Sequence, residues 1–593
     1  TILENFAQFE CQSNNSGTYT EHISMRIDNK RGLEDGNFVC HCSSNRELKK
    51  FSGTISDAKG KVVKKIKRSD LTRTEYSTHL VSDDYRFIYE MDTPLSYPIT
   101  VTYDTEIAYT DHINAYPTFA PIPAYEVAVD TASYTIIEKP GNSLAYRILN
   151  FEPQVKVTED DGKGRRITEF TIGHMKHMDK QDWGPSFSDR SPHIILVPRS
   201  FDWNKTHCDM SDWKTFGLWI NQLNEGRENL TPEVKARLHQ ATDTCSTDKG
   251  KVIAARKVLG DMTRYISIQL GIGGYQTASA EEVCKNGIGD CKALSNCFCA
   301  MLHEIGLPAT YTLIGTKNRH LINDMPNFSQ LDHAIAQVPL PGDTLWVEGT
   351  NDIYPADYRH LDMCGHDVIL IHPDGGQFYT IPEYTDSLNL RQISADIQFA
   401  TDGSAHIDYK ESNHKSQFQA LCGITRMSNK DQRQRLLNRI ECGNPTIQEM
   451  DIQTEGARLD YQLKLETSAF CKWNSNRFFL PQSLLAYAPL RNTKEEAHPV
   501  DLMGDGKLIE STIRYRIPEG YEVDSKLDPL HIESPFGFLN REMSINDGYL
   551  IIRDSYLLRS GLYPSEQFAE WVAFRKAVVD SSKKKVIMKK SNL

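Results

Sequence analysis

One cysteine of this sequence stands where a thiol becomes reactive. Residues 286–295 read NGIGDCKALS, and residues 291–304 (CKALSNCFCAMLHE) form an apolar run that predicts a helix beginning at Cys291. The start of a helix offers unpaired backbone N–H groups and the positive end of the helix dipole, which both favour a thiolate over a thiol. Cys291 is therefore a candidate nucleophile, and the same N–H groups could hold the oxyanion of a carbonyl under attack. The alternative is a packing cysteine, which is what we expect of Cys297 and Cys299.

A thiolate nucleophile needs a base, and His333 is the candidate. The sequence around it predicts a β-hairpin that turns at residues 341–342. If the turn is centred between these two residues, His333 faces Thr350 on the opposite strand. Glu348 is then the diagonal neighbour of His333 on the same face of the sheet. Asp352 lies on that face too if the strand continues, so the acid is Glu348 or Asp352. A carboxylate beside the imidazole fixes its tautomer and supports its protonated form, which completes a nucleophile–base–acid triad.

The elements around these residues predict three domains. Residues 1–172 and 383–593 are rich in strand-like segments with β-branched and aromatic residues, so each is predicted to be a mainly β, sandwich-like domain. Residues 173–382 begin with helical patterns and end with strands, and this order predicts an α+β core rather than a βαβ repeat. The helix of Cys291 and the hairpin of His333 both fall in this middle domain.

Two further segments have a predicted place but no predicted chemistry. Tyr275 ends the glycine-rich segment 271–275 and is expected to pack in the core, with a place in the site as the alternative. Residues 583–590 form a basic tail, which is expected to be solvated.

Composition and charge exclude several classes of protein. The 593 residues include 67 Lys and Arg and 79 Asp and Glu, and so weak and spread a net charge of −12 gives no electrostatic footprint for nucleic acid. No stretch reaches the roughly 18 apolar residues that a membrane helix needs, so no membrane span is predicted. The chain opens with Thr1 rather than Met, so we expect that a preceding segment was removed, either by a signal peptidase or in preparing the protein. The first of these would mean a secreted or periplasmic location.

The cysteines do not indicate a disulfide framework or a metal centre. There are 13 of them, without a CxxC pair or regular spacing, so most are expected to be free and buried. Cys299 and His303 are four residues apart and could share a helix face as metal ligands, but no further ligands follow at metal-site spacing. We expect neither a metal nor another cofactor.

Three motifs resemble the core motifs of the transglutaminase-like superfamily. They are GDCKAL at 289–294, DHA at 332–334 and LWVEGT at 345–350, and their order of cysteine, histidine and acid also fits. The glycine-rich segment 271–275 and the flanking regions resemble a bacterial branch, in which one β-rich domain precedes the core and another follows it. The resemblance therefore extends to the layout of nearly the whole chain.

This resemblance implies a papain-like α+β core whose triad acts through an acyl-thioester. By motif position Cys291 would be the nucleophile, His333 the base and Glu348 the third member. Glu348 departs from the usual Asp, and Lys292 follows Cys291 where many transglutaminases carry an aromatic residue. Because the second departure argues against protein cross-linking, the expected function is a cysteine peptidase or amidase acting on proteins or peptides. The alternatives are a protein-glutamine acyltransferase and a non-catalytic binding or scaffold protein.

Overall fold

A computed structural model describes the greater part of the chain. The described residues are 1–13, 15–75, 80–92, 96–110, 116–139, 144–203, 205–474, 476–485, 487 and 496–591. They form two compact units, of which the first holds residues 1–180, 186–351 and 366–381 and the second holds residues 181–185, 352–365 and 382–593. The predicted architecture, an α+β core between two strand-rich regions of the sequence, is confirmed. The domain limits placed after residues 172 and 382 stay predictions.

The N-terminal strand-rich region has two sheets that share one hydrophobic core. The larger sheet has the strand order Gln154–Thr158, Arg166–Ile172, Val129–Glu138, Ile2–Ser13, Ser16–Ile27, Ile99–Tyr109, Arg46–Ser56 and Val62–Lys67. The smaller sheet has the order Phe38–Cys42, Tyr85–Tyr89 and Thr72–Glu75. Ile99, Val101 and Tyr103 are buried in the shared core because alternate side chains of a strand point to the same face.

Four short strand pairs lie in the first unit, and two of them join the N-terminal region to the core. The pairs are Leu80–Ser82 with Ser267–Gln269, Leu144–Leu149 with His193–Pro198, Ser200–Trp203 with Thr206–Asp209, and Arg264–Tyr265 with Ile288–Gly289. In the first two pairs, one strand comes from the N-terminal region and the other from the core. The two regions are therefore connected by backbone hydrogen bonds. A one-turn helix, Phe187–Arg190, precedes the strand His193–Pro198.

Helices build the first part of the core. They are Trp213–Asn224, Pro232–Thr242, Asp248–Met262, Ala280–Asn286 and Cys291–Glu304. Each follows a Ser, Thr or Asp whose side-chain oxygen accepts a backbone N–H of the first turn, which is the usual way a helix start is satisfied. Cys291–Glu304, called the cysteine helix below, is buried continuously from Cys291 to Leu302. It is therefore an interior helix of the core.

An antiparallel sheet forms the second part of the core. Its strand order is Asp343–Val347, His333–Leu340, Thr310–Ile314, Asp367–His372 and Gly375–Thr380. His333–Leu340 is called the histidine strand below. Ser295 Oγ of the cysteine helix donates a hydrogen bond of 2.9 Å to the backbone oxygen of Ala334. This contact holds the helix against the strand that carries the histidine.

The second unit contains the C-terminal strand-rich region. Its larger sheet has the order Thr446–Glu455, Arg458–Thr467, Ala405–His414, Leu390–Phe399, Lys507–Arg516, Tyr549–Leu558, Gly537–Asn546 and Leu530–Ser534. A smaller sheet has the order Lys472–Asn474, Arg477–Pro481, Lys585–Lys590 and Tyr521–Val523, and Val500–Asp501 pairs with Leu562–Tyr563. The helices are Ser416–Gln419, Asn429–Leu437 and Phe568–Ser582. In the described parts of both units, no helix is long and apolar enough to cross a membrane.

Most lysines of the basic tail are exposed, as predicted, but the segment is also part of a sheet. Residues Lys585–Lys590 form a strand that pairs with Arg477–Pro481 on one side and with Tyr521–Val523 on the other. Val586 and Met588 are fully buried, and Ile587 between them is half-buried. Burial of these two apolar side chains and the ladder hydrogen bonds hold the segment in the sheet, while its lysine side chains stay largely in water.

Candidate active site

Cys291 begins the cysteine helix, as predicted. The carboxylate of Asp290, which caps this helix, accepts a hydrogen bond of 2.9 Å from the backbone N–H of Ala293 and forms an ion pair with the Lys292 ammonium. Cys291 is 7% exposed and borders a cavity of about 190 Å³. The sulfur therefore lies at the positively polarised end of a helix, next to a space that a substrate could enter.

His333 lies in the hairpin register that the sequence predicts. Ala336 pairs with Val347, as the predicted register requires, and the pairing runs from there to Leu340 and Asp343. The second strand of the hairpin ends at Val347, and Glu348 follows it directly. The Oε2 atom of Glu348 is 2.7 Å from Nε2 of His333. The candidate base and the candidate acid are thus in contact.

The imidazole of His333 lies between a thiol and a carboxylate. Its Nε2 atom is hydrogen-bonded to Glu348, and the ring borders the same cavity as the sulfur of Cys291. Burial lowers the pKa of His333, but its interactions with Cys291 and Glu348 outweigh this effect and raise the pKa to about 10. An imidazolium is therefore favoured beside the sulfur, and it would stabilise the thiolate in turn.

Glu348 is held by groups besides the histidine. Its Oε1 atom accepts hydrogen bonds from the backbone N–H and the hydroxyl of Thr350, at 2.6 and 2.7 Å. Arg256, which is 6% exposed, donates from Nε to the backbone oxygen of Glu348 at 2.7 Å. Thr350 thus fixes the side chain of Glu348, and Arg256 fixes its backbone. The Oε2 atom remains directed at His333.

The structure places the two candidate acids in different surroundings. Glu348 is buried and contacts His333, whereas the Asp352 side chain is 66% exposed and forms an ion pair of 3.0 Å with Arg426. The acid in contact with the imidazole is therefore Glu348. This is the residue that the motif resemblance implies.

Sequence reasoning missed several groups around the cavity. Gln269, Lys292 and Asp332 contribute polar side chains to its lining, and Tyr275 also lines it. Tyr275 is half-buried, with its ring 4.9 Å from that of Trp203, so it takes the alternative place at the cavity rather than the expected place in the core. Gln269 lies on a short strand in a segment without a clear pattern, so the sequence offered no signal for it.

The remaining cysteines and histidine of the cysteine helix have other environments. Cys297 and Cys299 are buried, and burial raises the pKa of the Cys299 thiol. His303 contacts the carboxylate of Glu228 at 3.3 Å and the backbone oxygen of Ala309 at 2.9 Å. Within the described ranges, no three His, Cys, Asp or Glu side chains come together in a group that could hold a metal ion.

Family models match three successive parts of the chain. Residues 235–349, which contain all three candidate residues, match the transglutaminase-like superfamily. Residues 13–178 match the domain of unknown function DUF3857, and residues 476–588 match the domain of unknown function DUF3858. The chain therefore carries a transglutaminase-like core between these two domains, as the sequence motifs indicate.

A solved structure shares the fold along nearly the whole chain. It is a "putative protease" from Parabacteroides distasonis ATCC 8503, which is 11% identical, covers 99% of both chains and has a TM-score of 0.66. At this identity the likeness establishes the fold alone.

Two other solved structures align only loosely. A "putative cysteine protease" from Cytophaga hutchinsonii is 11% identical over 57% of this chain and 78% of that chain, with a TM-score of 0.17. An M1 zinc metallopeptidase from Deinococcus radiodurans is 8% identical over 43% of this chain and 52% of that chain, with a TM-score of 0.18. Scores this low support no conclusion about the fold. No curated protein matches the sequence.

Proposed function

We propose that the chain is a thiol hydrolase, a peptidase or amidase that cleaves amide bonds of proteins or peptides through an acyl-thioester on Cys291. The observation that carries the proposal is the imidazole of His333, which contacts Glu348 at 2.7 Å and borders the same cavity as Cys291. This trio borders a cavity, so a substrate carbonyl could reach the sulfur. A transglutaminase-like core agrees with such chemistry.

In the first half-reaction, the thiolate of Cys291 attacks the carbonyl carbon of the amide. The developing oxyanion is stabilised by backbone N–H groups at the start of the cysteine helix; since Asp290 already engages Ala293, those of Cys291 and Lys292 are the candidates. The tetrahedral intermediate collapses when the imidazolium of His333 gives its proton to the amine nitrogen. The C–N bond breaks, the amine leaves and the acyl group remains on sulfur.

In the second half-reaction, neutral His333 takes a proton from water as the water oxygen attacks the thioester carbonyl. The C–S bond breaks, the carboxylic acid leaves and the thiolate–imidazolium pair is restored. Glu348 keeps the imidazole oriented through Nε2 in both steps, which leaves Nδ1 to exchange protons. An amine in place of water would give a transferase by the same chemistry.

The surroundings of the sulfur favour water as the second reactant. Lys292 follows the nucleophile where many transglutaminases carry an aromatic residue, and its side chain lies in the cavity lining as an ion pair with Asp290. The aromatic side chain that would help to exclude water directly beside the nucleophile is therefore absent at this position. Hydrolysis is therefore the proposed outcome.

Labelling with a peptide-like electrophile tests the nucleophile. The wild-type protein is treated with a peptidyl vinyl sulfone and compared with the Cys291→Ala and Cys284→Ala variants. Cys284 is the matched control, because it is half-buried on the neighbouring helix and its hydrogen bond with Cys297 lowers its pKa to about 7. Labelling should be lost in Cys291→Ala and kept in Cys284→Ala. Label that persists without Cys291, or that disappears without Cys284, would contradict the proposal.

A casein-like substrate then separates hydrolysis from transfer. New amino termini or released ammonia measure hydrolysis, and incorporation of a fluorescent primary amine measures transfer. We expect hydrolysis to dominate in the wild type and both products to vanish in Cys291→Ala. Amine incorporation in excess of hydrolysis would assign the chain to the acyltransferases, and neither product together with an unlabelled Cys291 would favour a binding protein.

A further inference from the structure

The cavity beside Cys291 has an apolar wall that the proposed mechanism does not use. Phe216 and Ile220 of the helix Trp213–Asn224 form part of this wall, together with Phe328 and Leu331. Phe216 and Ile220 are buried in the core, so their positions are set by packing. The wall and the sulfur border the same space of about 190 Å³.

Phe328 is the centre of an aromatic cluster that makes the wall rigid. Its ring packs edge-to-face against Tyr275 at 4.5 Å, against Phe216 at 5.2 Å and against Trp219 at 5.9 Å between ring centroids. Such edge-to-face contacts are the favoured geometry of aromatic pairs. A wall held on three sides in this way is formed before any ligand arrives, so little ordering cost is added on binding.

The charged groups in the cavity lining already have partners. Lys292 is in an ion pair with Asp290, and Asp332 accepts hydrogen bonds from the backbone N–H and the hydroxyl of Thr316, at 2.7 and 2.9 Å. The surface that gains from a ligand is therefore the apolar wall, through the removal of apolar area from water.

The size of the space suits one large side chain. An apolar cavity of about 150 Å³ holds a benzene molecule in another protein, and the space here is somewhat larger, at about 190 Å³. Because Cys291 and His333 border it, a group filling it would belong to the acyl part that is attached to the sulfur or to a residue next to it.

We infer that this wall is a specificity pocket, and that the substrate carries a large apolar side chain, preferably an aromatic one, on its acyl side close to the amide that is cleaved. The inference rests on the proposed function, since it assigns a substrate class to the same sulfur. Phe216, Phe328 and Leu331 would contact the side chain, and the aromatic cluster behind them would keep the pocket open.

Two neighbouring glycines offer a matched pair of variants, of which one changes the pocket and the other does not, and neither replaces a residue of the aromatic wall. A Cβ atom at Gly274 would lie 3.4 Å from Oε1 of Gln269, another lining residue, so Gly274→Leu grows into the cavity at ordinary contact distance. A Cβ atom at Gly273 would meet nothing within 4 Å, and Gly273 does not line the cavity. Neither residue has a positive φ, so both positions accept a side chain.

The test compares alkylation of Cys291 by 2-chloroacetamide and by its N-benzyl derivative, with rates read by mass spectrometry of the peptide that contains Cys291. In both reactions the thiolate displaces chloride and forms a thioether. The ratio of the two rate constants is divided by the same ratio for glutathione. We expect a normalised ratio of about ten or more in the wild type and in Gly273→Leu, because the benzyl ring is buried, and a ratio near one in Gly274→Leu. A ratio near one in the wild type, or an unchanged ratio in Gly274→Leu, would overturn the pocket.

Failure of the pocket and failure of the proposed function give different results. The rate with 2-chloroacetamide alone reports the nucleophilicity of Cys291, and it should exceed that of glutathione at the same pH in the wild type and in Gly273→Leu. If it does so while the benzyl ratio stays near one, the thiol is activated but the pocket is refuted. If the small reagent reacts no faster than with glutathione, the proposed function fails, and with it the assignment of a substrate class.

Discussion

Glu348 stands where the transglutaminase-like motif usually has an aspartate, and its two carboxylate oxygens bind different partners. Oε1 accepts two hydrogen bonds from Thr350, at 2.6 and 2.7 Å, and Oε2 lies 2.7 Å from His333. The extra methylene of a glutamate adds a rotatable bond, and the Thr350 contacts remove the freedom that it would bring. The longer side chain can therefore reach and hold the imidazole as a fixed partner.

Replacing Glu348 by glutamine should lower kcat/KM for amide hydrolysis by roughly 10²- to 10⁴-fold, since an amide fixes the imidazole tautomer less well and does not stabilise the imidazolium. The pH profile should change as well. The leaving amine takes its proton from His333, whose pKa is raised to about 10, so wild-type activity should persist on the alkaline side up to that region. Loss of a carboxylate that raises this pKa moves the alkaline limb to lower pH.

Asp352→Asn is the matched control for that change. It makes the same acid-to-amide replacement at an exposed carboxylate that forms an ion pair with Arg426. Its kcat/KM should stay within about twofold of the wild-type value. The alkaline limb of its pH profile should stay within a few tenths of a pH unit of the wild type. Equal losses in both variants, or an alkaline limb that does not move in Glu348→Gln, would count against Glu348 as the partner of the imidazole.

At the scale of elements, three parts of the core hold the candidate triad in place. The hairpin brings Glu348 beside His333, the cysteine helix is held against the histidine strand through Ser295, and the helix Asp248–Met262 supplies Arg256. Arg256 is buried and its Nε–H bonds the backbone oxygen of Glu348 at 2.7 Å. It is a positioning residue, because it acts on the backbone of the acid and not on a reacting atom.

Substitution of Arg256 by methionine should destabilise the core and loosen the acid. A hydrogen bond from a charged group contributes about 1.5–3 kcal/mol, so the free energy of unfolding should fall by roughly that amount in a denaturant titration. The alkaline limb of the pH profile should also shift towards lower pH, because a displaced Glu348 supports the imidazolium less. Arg237→Met, at an exposed arginine that pairs with Asp261, should change neither quantity appreciably. An Arg256→Met enzyme with reduced stability but an unshifted pH profile would make Arg256 purely structural.

The sequence predicted those parts of the site that depend on local rules. The turn chemistry at residues 341–342 sets the hairpin register, and this register alone predicts Glu348 beside His333. The same register predicts Thr350 opposite His333, but it does not predict the hydrogen bonds from Thr350 to Glu348. The contact from Arg256 spans 92 residues and depends on how a helix packs against a hairpin, which no local pattern encodes.

The features that the sequence analysis missed have the same origin. The strand at Lys585–Lys590 was not predicted, because the high lysine content obscured the two-residue spacing of Val586 and Met588. The pairing partners of this strand also lie far away in the chain. The aromatic cluster around Phe328 likewise joins residues from separate elements. Tertiary packing determines both features, so composition alone could not predict them.

At the scale of the whole molecule, the second unit depends on a buried charge cluster of its own. The Glu411 side chain is fully buried and accepts hydrogen bonds from Arg391, Arg439 and Tyr409. Burial alone would raise the pKa of Glu411, but the charges of the two arginines outweigh it and lower the pKa to about 2. A carboxylate paired in this way stabilises the fold at neutral pH and fails in acid.

Glu411→Gln should cost about 3–5 kcal/mol in the free energy of unfolding at pH 7, because two buried guanidinium groups lose their counter-charge. The folded-state pKa lies below the usual 4.5 of a glutamate, so this advantage of the wild type is complete above that pH and disappears as pH falls towards 2. Thermal unfolding of both proteins between pH 7 and pH 2 measures it. Glu449→Gln, at an exposed pair with Lys464, should differ little from the wild type throughout. A gap between the wild type and Glu411→Gln that is small at pH 7, or constant with pH, would refute this role.

The most direct test of the central claim is the rate at which iodoacetamide alkylates Cys291 at pH 6, measured by peptide mass spectrometry in the wild type and in His333→Asn. If the sulfur and the imidazole form a thiolate–imidazolium pair, Cys291 should react roughly 10 to 100 times faster in the wild type, and the pH dependence in His333→Asn should return to that of an ordinary thiol. A wild-type rate that equals the His333→Asn rate, or a Cys291 that resists alkylation while other cysteines react, would contradict the account.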